Sequence, residues 1–300
     1  VPKIAYIERR FAAGTLDVID KANTIIAEYA AQGFVLTLRQ LYYQFVSRDF
    51  IANKQTEYDR LGSIINDARL AGLIDWEAIE DRTRELESVS HWNEPSEIVS
   101  TAADSFRIDK WATQKIRPEV WIEKDALAGV FEGVCRELDV AYLSCRGYTS
   151  QSEMWRAGRR LARYRKLGQT PFILHFGDHD PSGIDMTRDI RERLEMFIGA
   201  KLRLLRVALN KDQVDQYDPP PNPAKMTDSR FAGYVAEYGD ESWELDALEP
   251  ATLAALVRAQ IETVRDEAKW RKAVGEETEH RTSLAAIAER YDEVRELVTN

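Results

Sequence analysis

The chain has 300 residues, 44% of them apolar, with 41 basic and 51 acidic side chains and a formal net charge of −10. Length and apolar share suit one or two domains with real cores and exclude a disordered or collagen-like chain. No stretch reaches the roughly 18 apolar residues of a membrane span, and Glu8, Arg9 and Arg10 stand where an export signal needs its apolar core.

In chain order, residues 15–31 place Leu16, Ile19, Ala22, Ile26 and Tyr29 near one side of an amphipathic helix that Gly33 stops. Thr37 offers an N-cap for a second helix from Leu38, and residues 58–73 read as a third. Three short helices with short turns predict an N-terminal winged-helix (helix-turn-helix) domain over 1–90, with 74–84 as its wing or exit. Residues 91–118 show no clear period and are expected to be a linker. From Glu119 the pattern alternates. Strands are predicted at 120–122, 140–144, 172–176 and 202–209, and helices at 126–138, 151–166 and 182–197. Continuous apolar strands between helices predict an α/β fold with an open parallel sheet over 119–235. The proline-rich loop 218–225 breaks the rhythm. Helices near 251–269 and 283–298 complete an acidic C-terminal extension, 236–300.

Charge is unevenly spread. Residues 1–90 carry 11 basic and 14 acidic side chains, a net of −3. Residues 91–235 carry 22 and 21, a net of +1, and residues 236–300 carry 8 and 16, a net of −8. Within the middle segment, Arg156, Arg159, Arg160 and Arg163 follow i, i+3, i+4, i+7 spacing and share one helix face. Such a face is either a solvated surface or a phosphate-contacting patch. Two cysteines, Cys135 and Cys145, cannot build a disulfide framework or a Cys-x-x-Cys zinc unit, so a reducing, cytoplasmic setting is expected.

Two predicted strands end in acids. Val120-Trp121-Ile122 runs into Glu123-Lys124-Asp125, and His175-Phe176 runs into Gly177-Asp178-His179-Asp180-Pro181-Ser182-Gly183. In extended backbone Asp178 and Asp180 point one way and His179 the other. Two adjacent carboxylates repel unless a cation lies between them, and hard oxygen ligands suit Mg²⁺. The plainer reading, an aspartate that caps the following helix, accounts for one of the pair only.

Glu-Lys-Asp-Ala after one strand and Gly-Asp-x-Asp-Pro-x-Gly two strands later resemble the Toprim domain of type II topoisomerases, bacterial primases and several nucleases. The resemblance implies that Glu123, Asp178 and Asp180 are Mg²⁺ ligands, that Lys124 and Asp125 are neighbours able to meet phosphate or a second ion, and that His179 is a spacer.

On the second helix, Leu38, Leu41, Tyr42, Phe45 and Val46 gather in one stripe, while Arg39 and Tyr43 lie off it, four residues apart. Tyr42 is thus expected to pack and Tyr43 to present its hydroxyl outward beside a guanidinium that could hold a phosphate. A phenol of pKa about 10 needs a nearby cation or base to act as a nucleophile.

This Arg-x-x-Tyr-Tyr helix, followed by Ile64-Ile65-Asn66-Asp67 and then the Toprim-like motifs, resembles the topoisomerase VI A subunit and the related meiotic break-forming transesterase. The resemblance spans roughly Leu16 to Leu209. It departs at Arg146-Gly147-Tyr148-Thr149-Ser150, where relatives carry a glycine-containing loop ending in Pro-Asp, and residues 210–300 match no catalytic feature of that family. It implies a DNA-cleaving homodimer in which Tyr43 becomes linked to a 5′ phosphate while the partner chain supplies Mg²⁺, with Lys124 and the four arginines meeting duplex DNA. No Gly-x-x-x-x-Gly-Lys-Ser/Thr loop is present, so ATP-driven strand passage would need a separate ATPase subunit. Two other readings remain open: a Toprim nuclease that uses metal-activated water, and a winged-helix DNA-binding regulator without catalysis.

Overall fold

The computed structural model describes residues 3–80 and 89–299. The elements run α1 (Ala13–Ala30), β1 (Leu36–Thr37), α2 (Leu38–Ser47), α3 (Gln55–Leu70), β2 (Ile79–Glu80), α4 (Pro95–Ser105), β3 (Ile116–Ile122), α5 (Ala128–Glu137), β4 (Ala141–Ser144) and α6 (Gln151–Lys166). They continue β5 (Thr170–Phe176), α7 (Pro181–Ile198), β6 (Arg203–Ala208), α8 (Lys211–Tyr217), β7 (Asn222–Pro223), α9 (Phe231–Tyr238), β8 (Glu241–Ser242), α10 (Pro250–Glu262), α11 (Glu267–Glu289) and α12 (Tyr291–Thr299).

The fold is α/β around one four-stranded parallel sheet of order β4-β3-β5-β6. The inner strands β3 and β5 are largely buried because both faces are covered there, whereas the edge strands β4 and β6 keep exposed positions such as Tyr142 and Leu205. Val120, Ile122, Phe172, Leu174 and Phe176 pack with α5 and α10, whereas Trp121 and Ile173 pack with α6 and α7. The chain leaves β3 toward β4, then crosses back over β3 to β5. The strand order thus reverses between β3 and β5, the position where open α/β sheets place ligands beyond the carboxyl ends of their strands.

α1, α2 and α3 enclose a second core of Ile19, Ile25, Tyr29, Leu41, Phe45, Leu61 and Ile65. Leu16, expected on the inner face of α1, is exposed, and Ile25 takes a core position. α2 starts where Thr37 predicts: the Thr37 hydroxyl accepts from the Gln40 N–H, and the Gln40 side chain accepts from the Thr37 N–H at 2.8 Å. Such a reciprocal cap is worth about 1 kcal/mol. Within the expected wing, Ile79–Glu80 pairs in parallel with β1, while residues 81–84 lie outside the described residues.

Several expectations need correction. The supposed linker 91–118 contains α4 and the start of β3. Lys110 binds the buried Glu277 of α11 at 2.6 Å, so this stretch is fixed by side-chain contacts that carry no helical period. The helix expected at 251–269 is two helices, because Asp266 caps a new one by accepting from the Ala268 and Lys269 N–H groups. Residues 236–300 are no appendage either: Trp243, Leu245 and Leu248 belong to the sheet core, and Ala247 to the helical core.

Candidate functional site

At the reversal of strand order, the N–H of Glu123 donates to the carbonyl of Phe176, the last residue of β5, at 2.9 Å, which carries the β3–β5 ladder one residue past the end of β3. The N–H of Asp178 donates to Glu123 Oε2 at 2.9 Å. Glu123 and Asp178, 55 residues apart in the chain, are thereby adjacent. Two neighbours fix the loop that carries the aspartates. Arg206 of β6 donates to the carbonyls of Gly177, Asp178 and Gly183. At Gly183 a Cβ would stand 2.3 Å from the Asp178 carbonyl oxygen, so only glycine fits. Burial pulls the Arg206 guanidinium down to about 10, partly offset by Glu123, Asp178 and Asp180.

The three acids differ in surroundings. Burial pushes Asp178 up to about 8; Lys124 opposes the shift, and Glu123, Asp246 and Glu244 add to it. Glu123 is also raised, first by burial, with Asp180 reinforcing it against the Asp178 N–H and Lys124. Asp180 caps α7: its carboxylate accepts from the Gly183 N–H at 2.6 Å and from the Ser182 hydroxyl at 3.0 Å. Among the described residues, no three His, Cys, Asp or Glu side chains are gathered closely enough to ligate one ion as they stand. His179 turns inward, where its Nδ1 lies 2.8 Å from the Tyr234 hydroxyl, consistent with a spacer.

Lys124 reaches across the crevice. Its ammonium lies 3.0 Å from Asp178 Oδ2 and 3.1 Å from Asp246 Oδ1, and it also pairs with Glu244. Burial opposes its charge, but these carboxylates outweigh burial and raise its pKa. Glu244 shows the converse balance: burial would raise it, yet Lys124 and Arg39 hold it down at about 2. The Leu245 N–H donates to Asp178 Oδ1 at 2.8 Å, which fastens residues 244–246 to the sheet.

From the other side, Arg39 Nε donates to Asp246 Oδ2 at 2.7 Å and its Nη2 pairs with Glu244. Nη2 also lies 3.5 Å from the Tyr43 hydroxyl. One continuous network therefore runs from Tyr43 through Arg39, Glu244, Asp246 and Lys124 to Asp178 and Glu123, all within a single chain. Tyr43 does not face solvent as its helix stripe predicts; it is 4% exposed. The residues after β8 cover this side of α2, so a position off the helix's own apolar stripe is buried by a distant segment. Burial, reinforced by Asp246 and Glu244, raises the Tyr43 hydroxyl above its ordinary range, while Arg39 and Lys124 pull the other way. Tyr42 packs as expected, its hydroxyl donating to Asn53 Oδ1 at 3.0 Å. A cavity of about 290 Å³ opens beside both tyrosines, lined also by Arg39, Lys54, Tyr58 and Glu244.

The four arginines of α6 divide. Arg156, Arg159 and Arg163 are exposed, with Arg156 paired to Glu153. Arg160 instead turns to the buried Glu119 of β3, at 2.8 and 2.9 Å, and ties α6 to the sheet. Its i+4 position from Arg156 indicates a shared helix side, but the roughly 40° offset between such positions is enough to bring it over β3, an inner strand of the sheet.

Glu244, Asp246 and Arg206 escaped the sequence reading. A signal for the first two exists: Trp243-Glu244-Leu245-Asp246 alternates apolar and acidic residues with period two, the pattern that picked out Asp178 and Asp180. Arg206 sits inside an apolar strand, and such a charge must be paired or hydrogen-bonded to be buried. Compared with protein-family models, curated proteins and solved structures, the chain matches none. Among the described residues no helix is long and apolar enough to cross a membrane.

Proposed function

We propose that the chain is a Mg²⁺-dependent, DNA-cleaving transesterase of the topoisomerase VI A kind, built from a winged-helix domain that carries Tyr43 and a Toprim domain that carries Glu123, Asp178 and Asp180. The carrying observation is the network that joins Tyr43 and Arg39 to Lys124, Asp178 and Glu123 at the reversal of strand order. Five carboxylates (Glu123, Asp178, Asp180, Glu244, Asp246) face three cations (Arg39, Lys124, Arg206), a formal surplus of two negative charges. That surplus and the hard oxygen donors suit a divalent ion; Glu123 and Asp178 are already adjacent, and Asp180 would have to turn from its cap on α7 to join them in holding it. When bound it supplies charge stabilisation for a phosphate under attack.

In this reading Arg39 and Lys124 orient the phosphodiester and favour the phenolate. The Tyr43 oxygen forms the new bond to phosphorus, the 3′ oxygen leaves and takes up a proton, and the bond energy is kept in a 5′-phosphotyrosine. Arg159 and Arg163 contribute backbone contacts to duplex DNA away from the reacting atoms. A homodimer and a separate ATPase partner rest on the family resemblance; the exchange of tyrosines between chains that it also implies differs from the arrangement here, where Tyr43 is 4% exposed and joined through Arg39 to the acids of its own chain.

The test is detection of a covalent protein–DNA adduct on a denaturing gel in Mg²⁺ or Mn²⁺. Wild type and Tyr42→Phe are expected to form it, whereas Tyr43→Phe and Glu123→Gln are not. The burial of Tyr43 favours a second reading, hydrolysis by metal-activated water. In that case Tyr43→Phe keeps cutting without an adduct and Glu123→Gln alone abolishes it.

A further inference from the structure

We propose that Glu244 is an internal stand-in for a phosphate group: its carboxylate occupies Arg39 and Lys124 in the free protein and swings aside when a phosphodiester enters the cavity beside Tyr43. The proposal deepens the DNA-cleaving reading and rests on it for the identity of the anion.

Position is the first argument. Glu244 bridges Arg39 and Lys124, the two cations that act on the Tyr43 hydroxyl. It also forms part of the wall of the 290 Å³ cavity, together with Tyr43, Lys54 and Tyr58. An anion arriving there meets Arg39, which lines the cavity and whose partner is already the Glu244 carboxylate, while Lys124 on the other side of that carboxylate pair is not part of the wall; the planar fork of Arg39 suits phosphate oxygens as well as carboxylate oxygens.

The second argument is the contrast with Asp246. The Asp246 side chain is 0% exposed and bonded to both cations, whereas that of Glu244 is 26% exposed. The backbone between them is pinned. Trp243 and His179 exchange two backbone hydrogen bonds, at 2.8 and 2.9 Å, and the Leu245 N–H is held by Asp178. Leu245 and Leu248 are anchored in the sheet core. Asp246 is therefore a fixed positioning residue that keeps Arg39 and Lys124 in place, and only the longer Glu244 side chain has room to rotate toward solvent.

The experiment measures binding of a short fluorescent DNA duplex to the whole chain by anisotropy, alongside the adduct assay. Glu244→Gln is expected to bind about five- to tenfold tighter than wild type, and the gain should vanish when Arg39→Gln is added. Glu279→Gln, which removes an exposed charge on α11, controls for net charge and should change binding less than about twofold. Glu244→Asp keeps the charge but shortens the reach, and should tighten binding by a smaller factor; it serves if the Gln variant proves unstable by thermal melting. Unchanged or weaker binding in both Glu244 variants, or a gain equal to that of Glu279→Gln, overturns the stand-in. If binding tightens through Arg39 but no variant forms an adduct, the transesterase reading fails and the stand-in survives. An adduct in wild type without tighter binding in the Glu244 variants rejects the stand-in and keeps the transesterase, so the two failures are told apart.

Discussion

Arg39 and Arg206 in the crevice, and Arg159 and Arg163 on α6, are the same residue type in opposite settings. Arg206 is enclosed by backbone carbonyls, and Arg39, though its side chain is 43% exposed, is held by the carboxylates of Glu244 and Asp246. The α6 arginines stand in water on one element. A buried charge weighs on stability because losing its partner leaves it unsolvated, whereas an exposed one is screened and matters mainly to a partner that brings opposite charge. The crevice is thus built to hold a geometry, and the α6 face to meet something.

The largest effect expected from that contrast is at Asp246. Asp246→Ala takes from Arg39 and Lys124 their fully buried partner and leaves them Glu244, with Asp178 still beside Lys124; it should cost about 2–3 kcal/mol, read as a lowered denaturant midpoint. A loss below about 1 kcal/mol would mean that the crevice charges are as loosely held as surface ones.

A smaller effect concerns protons. His175 is fully buried, and burial followed by Arg206 holds its imidazole down to about 3. An unfolded chain protonates histidine near 6.5. Between those values the unfolded state binds more protons, so stability falls as pH drops through the window and the loss is complete near pH 3. For one such group the loss at pH 4.5 is on the order of 2–3 kcal/mol. His179, lowered to about 4, acts in the same direction. Urea melts from pH 7 to 4 should show this slope, and His175→Gln should flatten it by the share of one histidine. An unaltered slope would show that other groups set the acid limb.

The smallest effect on stability is expected on α6. Arg159→Ala with Arg163→Ala should leave the melting curve in place while flattening the salt dependence of duplex binding by roughly 0.9 per arginine in log–log slope. A shift in melting with no change in salt slope would assign these residues to packing. Arg160→Ala, which strips the buried Glu119 of its partner, should show that opposite pattern.

Much of the fold is legible in the residues because it rests on local signals. The Thr37 cap begins α2 where expected, α6 spans the same residues that its pattern predicts, and the four parallel strands coincide with four apolar runs. Elements whose structure comes from long-range contacts were less legible. α4 has one buried residue and is held against α11 through Arg281 donating to the Ala103 carbonyl at 3.0 Å. α8 and α9 are helices of seven and eight residues beside a proline-rich loop, too short to establish a helical period.

The same division runs through the candidate site. Residue type and spacing alone placed Glu123, Asp178 and Asp180 just beyond strand ends, Tyr43 and Arg39 one helical turn apart, and a basic face on α6; that β3 and β5 are neighbours came from the sheet pairing. Only the tertiary structure decided that Arg39 meets Asp246 across 207 residues of chain, that Tyr43 is covered, and that Arg160 is spent on Glu119. Periodicity reports which side of an element is apolar, because that side must leave water. It carries no information about which distant segment closes over the polar side, since that pairing is settled by packing and charge complementarity once the chain has folded.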